Sequence, residues 1–266
     1  MRRAGVWALA AVVGAMCWGC NGQVTEGPNA SVAAKLFFLH HSTGEGIVTQ
    51  GDVRGAVVSH NAENGTSFAF WDHEYNAQGL RNAAGDLTGT NYDIPGDNTD
   101  PEGLYMLWTS SEAGWTNARN RILNNYQVIA FKSCFPASAI PDADTLNQYK
   151  TWYLAMRDFF DTRTDRTFVV ISTPPLHRLA TSATEADNAR AFAEWLKSDE
   201  YLAGHPNVVC FDLFDELAAA DDGSATANML RYEYEGDHSD SDSHPNATAN
   251  EAVGPVFARA LIEAAP

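Results

Sequence analysis

The sequence predicts an α/β protein with a mostly parallel sheet covered by helices on both faces, and two observations carry that expectation. Four short apolar runs rich in β-branched and aromatic residues recur along the chain: Lys35 to His40, Tyr126 to Phe131, Arg166 to Ser172 and Asn207 to Leu213. Each is of strand length and apolar throughout rather than alternating, as a strand buried on both faces requires. Between and after them lie segments with helical periodicity at Thr145 to Thr162, Thr184 to Ser198 and Asn250 to Ala265. Strands that alternate with helices close into a parallel sheet through right-handed crossovers.

Taken in order, the chain begins with two arginines, an apolar run and Gly19-Cys20. This reads as an export signal over residues 1–19, too short for a spanning helix. Cys17-Trp18-Gly19-Cys20 is similar to a lipoprotein cleavage box, with Cys17 where a leucine is usual, so a lipid anchor on Cys20 is expected. That places the protein at the bacterial outer membrane or outside the cell. Residues 20–31 read as a polar tether, and residues 32–266 as one domain. Cys134 and Cys210 are then the only thiols in that domain, and spacing does not say whether they pair.

The stretch from 50 to 120 fits the alternating pattern poorly. It is rich in Gly, Asn and Asp, and reads as a long insertion after the first strand, with Trp71, Tyr75, Tyr92 and Tyr105 as candidate sugar-stacking faces. In the helix near 184, Thr184 reads as the N-cap with Asp187 three positions on.

Charge narrows the function. With 34 acidic against 17 basic residues the formal net charge is −17, which repels phosphate backbones and excludes nucleic acid as a partner. No organic-cofactor motif occurs. Asp237, His238, Asp240, Asp242 and His244 form one acidic cluster, and Asp97 to Gly103 offers oxygen ligands. Neither has the spacing of a zinc motif or an EF-hand loop, so no metal is assigned and Asp97 and Asp100 stay a minor candidate for calcium.

The first strand stops on His40-His41-Ser42-Thr43-Gly44. Ligands of such sheets sit at the carboxyl ends of the strands, where Ser42, Lys132 and Ser133 fall. A serine there is placed as a nucleophile or as a helix cap, and its hydroxyl needs a base. His244, before Pro245 and the last helix, is the best candidate for that base. His40 and His41 point opposite ways along the strand, so at most one faces the site.

These residues resemble the SGNH/GDSL hydrolases. Ser42 matches the family's nucleophile after the first strand, His244-Pro245-Asn246 matches its last block, and FKSCFPASAI (131–140) stands where the family places an oxyanion-hole block. The resemblance implies a flavodoxin-like three-layer α/β/α sandwich and a serine esterase; together with export and the aromatic residues of 50–120 it points to removal of acyl groups such as acetyl from carbohydrate, with lipid esters left open. The chain departs from the pattern at three points. The name-giving Asp of Gly-Asp-Ser-Leu is His41, the Asn block reads Lys132-Ser133-Cys134-Phe135, and Ser241 stands where the orienting Asp is usual. Asp242 is the preferred substitute for that acid and Asp240 the alternative. The backbone amide of Ser42, with Ser133 or Lys132, is the expected oxyanion support. The rival reading is a non-catalytic glycan-binding surface lipoprotein on the same fold, and acyl transfer would use the same nucleophile.

Overall fold

The computed structural model describes residues 33–266; the expected signal, tether and Cys20 anchor lie outside the described residues. The first strand, β1 (Lys35–Leu39), leads into α1 (Ser42–Thr49) and α2 (Val53–Asn64). Next come β2 (Ala69–His73), β3 (Leu80–Arg81), α3 (Pro101–Thr109) and α4 (Ala113–Leu123). After β4 (Val128–Phe131) follow α5 (Ala143–Phe160), β5 (Thr167–Ile171), α6 (Ala183–Leu196) and α7 (Asp199–Leu202). The chain finishes with β6 (Val208–Phe211), α8 (Leu213–Leu217) and α9 (Ala247–Glu263).

The sheet order is β3-β2-β1-β4-β5-β6, with every pairing parallel except β2 with β3. Setting aside the two-residue edge strand β3, this is the flavodoxin-like order, so the expected three-layer sandwich is the observed fold. Alternation along the strands builds both outer layers. Phe37, Leu39, Ile129 and Phe131 face a core with Trp108, Tyr153, Phe160 and Phe192 from α3, α5 and α6. Leu36, Phe38, Val128 and Ala130 face Ile47, Val57, Val253 and Phe257 from α1, α2 and α9. The order reverses between β1 and β4, and a crevice opens there at the strands' carboxyl ends.

Two expectations need correcting. The stretch 50–120 is not an insertion, because it contains α2, α3, α4 and the sheet's second parallel strand, β2. Its sequence, AFWDH, hides a strand because Asp72 and His73 look like solvent residues. Both are buried: Asp72 pairs with Arg54 and, at 3.1 Å, with His40, while His73 stacks on Tyr92. Partners from elsewhere in the fold therefore offset the cost of burying them. The N-cap of α6 is Ser182, not Thr184. Ser182 Oγ accepts from Glu185 N at 3.3 Å while Ser182 N donates to Glu185 Oε2 at 2.8 Å. The longer Glu reaches back to the cap, and Asp187 instead accepts from Asn228.

Helix α9 crosses α1 at close range. Gly254 of α9 packs on the turn that follows α1, where an added Cβ would overlap Gly51 O, so this contact is open only to glycine. Gly254→Ala should cost about 3 kcal/mol by forcing α9 away from the turn between α1 and α2, read as a lowered midpoint in urea denaturation. Nearby, Asn250 Nδ2 donates to Gln50 Oε1 at 2.7 Å and to Pro245 O at 3.2 Å. The close crossing thus fixes the loop before α9 against the end of α1.

Candidate active site

Ser42 is the first residue of α1, directly beyond β1, with extended His41 as N-cap. Placed there, its N–H belongs to the helix turn that has no intrahelical acceptor. Asn246 starts α9 by accepting from Ala249 N at 3.1 Å, and its side-chain amide donates to Glu233 O and Glu235 O. These bonds hold His244 two residues upstream of the cap. Across the crevice, His244 Nε2 lies 2.8 Å from Ser42 Oγ, and His244 Nδ1 lies 2.6 Å from Asp242 Oδ1. With Nδ1–H donating to the carboxylate, Nε2 is left to accept the serine proton. Burial alone would raise the Asp242 pKa, but hydrogen bonds from the ring and backbone of His244 outweigh it and hold the carboxyl below its usual value. Phe135 packs edge-on against the His244 ring, centroids 4.8 Å apart.

The loop carrying this acid and base is anchored from beneath. Glu235 is buried, with His177 Nε2 at 3.0 Å, Arg178 Nε at 3.2 Å and His238 Nδ1 at 2.7 Å from its carboxylate. It also pairs in a β-bridge with Pro245. On the far side of the loop, Ser243 Oγ accepts from His177 N at 2.9 Å. Sequence reading assigned nothing to His177, which acts here as a strut.

A cavity of about 350 Å³ opens over Ser42 and His244. One wall is Phe135, Pro136 and Ala137; the other is His41, Tyr75 and the Asp97 to Asp100 turn. His41 stacks on Tyr75 at 3.8 Å, with Thr99 Oγ1 3.1 Å from Nδ1 and Asp97 Oδ1 3.6 Å from Nε2. Burial lowers its pKa to about 4 against the opposing pull of Asp97, with Lys132 adding to the fall. The imidazole is therefore neutral at pH 7 and presents a polar but uncharged face to the cavity.

That shift has a consequence for stability. Between pH 6.5 and about 4 the unfolded chain takes up a proton at this site and the folded one does not. Stability is therefore complete above pH 6.5 and falls as pH drops toward 4, by about 3 kcal/mol for this group. Urea denaturation at pH 7 and pH 4.5 should show a smaller loss in His41→Asn than in the parent.

The structure brings together Ser42, His244 and Asp242. Asp240 stands off, accepting from Asp242 N at 2.8 Å and so shaping the turn rather than touching the imidazole. Lys132 and Ser133 do not line the cavity, a correction to their expected role at the oxyanion. Both are wholly buried below it, with Lys132 Nζ donating to Ser133 O at 3.2 Å. The residue that emerges from this segment is Cys134, its Sγ 3.6 Å from Ser42 Oγ and 3.3 Å from Thr43 Oγ1. Sequence reading considered Cys134 only as a partner for Cys210, and both are free thiols. Of the four candidate stacking faces only Tyr75 lines the cavity; Tyr92 is buried on Tyr126, and Trp71 and Tyr105 pack against the core.

Among the described residues no group of three or more His, Cys, Asp or Glu side chains is placed to hold a metal ion. Asp97 Oδ1 accepts from Asn76 N at 2.9 Å, and Asp100 caps α3 through Gly103 N at 2.7 Å. No helix among the described residues is long and apolar enough to cross a membrane.

No family model matches the chain, and no curated protein matches it. One similar solved structure is "The structure of a putative platelet activating factor from Streptococcus pneumonia". It aligns at a TM-score of 0.47 and 11% sequence identity over 85% of this chain and 83% of that one.

Proposed function

We propose that the chain is an exported serine ester hydrolase, a divergent SGNH/GDSL-type enzyme that removes small acyl groups, acetyl foremost, from carbohydrate. The observation that carries this reading is the continuous relay from Ser42 Oγ through His244 to Asp242, assembled from the two ends of the domain. A serine hydroxyl 2.8 Å from an imidazole whose other nitrogen is held by a carboxylate is an activated nucleophile.

In the reaction Ser42 Oγ attacks the ester carbonyl as His244 Nε2 takes its proton. Asp242 holds the ring in the tautomer that can accept and steadies the imidazolium that forms. The oxyanion develops at the start of α1, where the Ser42 N–H and the positive end of the helix favour negative charge. His244 then delivers its proton to the departing alcohol, and water, deprotonated by the same imidazole, releases the acid from Ser42.

The substrate side of the reading rests on the cavity walls. Phe135, Pro136 and Ala137 offer an apolar surface suited to an acetyl methyl, while the Tyr75 face and the carboxylates of Asp97 and Asp100 suit a ring rich in hydroxyl donors. Export rests on the apolar N-terminal run that ends at Gly19-Cys20.

The test is a fluorophosphonate probe applied to the full-length protein, with the adduct located by peptide mass spectrometry. An adduct on Ser42, together with acetate release from an acetylated oligosaccharide, is the expected result. A folded protein that takes no adduct would remove the esterase reading and leave a carbohydrate-binding domain.

A further inference from the structure

Ser42 and His244 line two hollows. Besides the cavity walled by Phe135 and Tyr75, a groove of about 380 Å³ runs from the same pair between α1 and the start of α9. Helical spacing sets its first wall: Glu45, Gly46 and Thr49 follow Ser42 at three, four and seven positions and so share one face of α1. The other wall is Pro245 and Asn250. The Ser42–His244 pair therefore stands on the divide between an aromatic and apolar cleft and a polar one.

Asn250 supplies a second, independent observation. It is only 3% exposed, and its amide N–H groups are both used, Nδ2 donating to Gln50 Oε1 at 2.7 Å and to Pro245 O at 3.2 Å. A backbone carbonyl can only accept, so Pro245 fixes which end of the amide is nitrogen. The oxygen end is left facing α1 at Gly46. Oδ1 lies 3.2 Å from where a Cβ of that residue would stand, and it takes no hydrogen bond from the protein. A buried acceptor without a donor lowers stability, and a hydroxyl brought in through the groove removes that cost.

We propose that the groove is a second carbohydrate subsite, holding a neutral sugar unit next in the chain to the acetylated one, so that the substrate is an oligo- or polysaccharide lying across Ser42 from one cleft to the other. The lining selects this occupant. Glu45, Thr49 and the Asn250 amide offer acceptors to sugar hydroxyls. Among the described residues no lysine or arginine lines the groove to hold an anion, and Pro245 is its one apolar side chain, too little for a hydrocarbon tail. The acyl methyl keeps the Phe135–Pro136–Ala137 wall of the other cleft. An acetylated monosaccharide would leave the groove and its unpaired acceptor unused. The gain in hydrolysis rests on the esterase reading; occupation of the groove by sugar does not.

The experiment uses full-length protein and O-acetylated cello-oligosaccharides from mono- to hexasaccharide, with acetate release as the readout. The value of kcat/KM should rise about tenfold between the mono- and the trisaccharide, as one added set of sugar contacts allows. Thr49→Trp changes an exposed residue of α1 and fills the groove, so it should flatten that rise. The unacetylated hexasaccharide, titrated calorimetrically, should bind the parent about tenfold more tightly than it binds Thr49→Trp. Equal binding by the two proteins, a rate that does not change with chain length, or a length dependence that survives the substitution overturns the subsite. A ladder that yields no acetate with protein that takes the fluorophosphonate adduct overturns the carbohydrate assignment and the subsite with it. Protein that takes no adduct overturns the esterase reading instead, and the calorimetry still decides the groove.

Discussion

Replacing His244 by alanine should lower acetyl ester hydrolysis by about 10⁴-fold or more, as should Ser42→Ala, and the double variant should be no worse than either. On the proposed mechanism the residues act as one unit: without the imidazole 2.8 Å away the serine would keep its proton, and without the serine the base would have nothing to activate. Additive losses in the double variant, measured with an activated acetyl ester, would show that the two groups act separately and that the relay is not the catalytic device. Asp242→Asn should fall between parent and His244→Ala. Its carboxylate is more than half exposed, so water can partly replace its hold on the ring.

Glu235→Gln should destabilise the fold by about 3 kcal/mol. The carboxylate is wholly buried among His177, Arg178 and His238, and neutralising it leaves the Arg178 guanidinium facing a low-dielectric site with no counter-charge. The figure sits at the low end of such losses because Arg178 keeps 24% of its side-chain surface exposed and can turn to water. Urea denaturation checks the value. In a Glu235→Leu/Arg178→Met double variant part of the loss should return, since both charges leave together; a loss equal to the sum of the single ones would mean that packing rather than charge is at work. Because Glu235 is bridged to Pro245, hydrolysis should fall in parallel with stability.

What could be read beforehand followed the uniformity of the signal. Strands β1, β4, β5 and β6 are apolar throughout and stand out in any window, and the order of serine, strand–helix alternation and His-Pro before the last helix was enough to pair Ser42 with His244. Strand β2 was invisible for the opposite reason. The partners that make Asp72 buriable, Arg54 and His40, lie on α2 and just beyond β1, and only the fold brings them together. Lys132 and Ser133 were misjudged because a lysine and a serine at a strand's end read as functional groups aimed outward. The chain turns both inward and exposes Cys134. The capping of α6 turned on side-chain length, Glu185 reaching where Asp187 does not.

The two residues of the relay stand 202 positions apart in the chain. During synthesis the serine emerges early and remains chemically ordinary until the last helix has been made and has docked against the first. An unfinished or partly unfolded chain therefore carries no armed nucleophile. On the esterase reading, hydrolytic activity should for the same reason report on the attachment of α9, and loosening at the Gly51–Gly254 contact should lower it by drawing His244 away from Ser42.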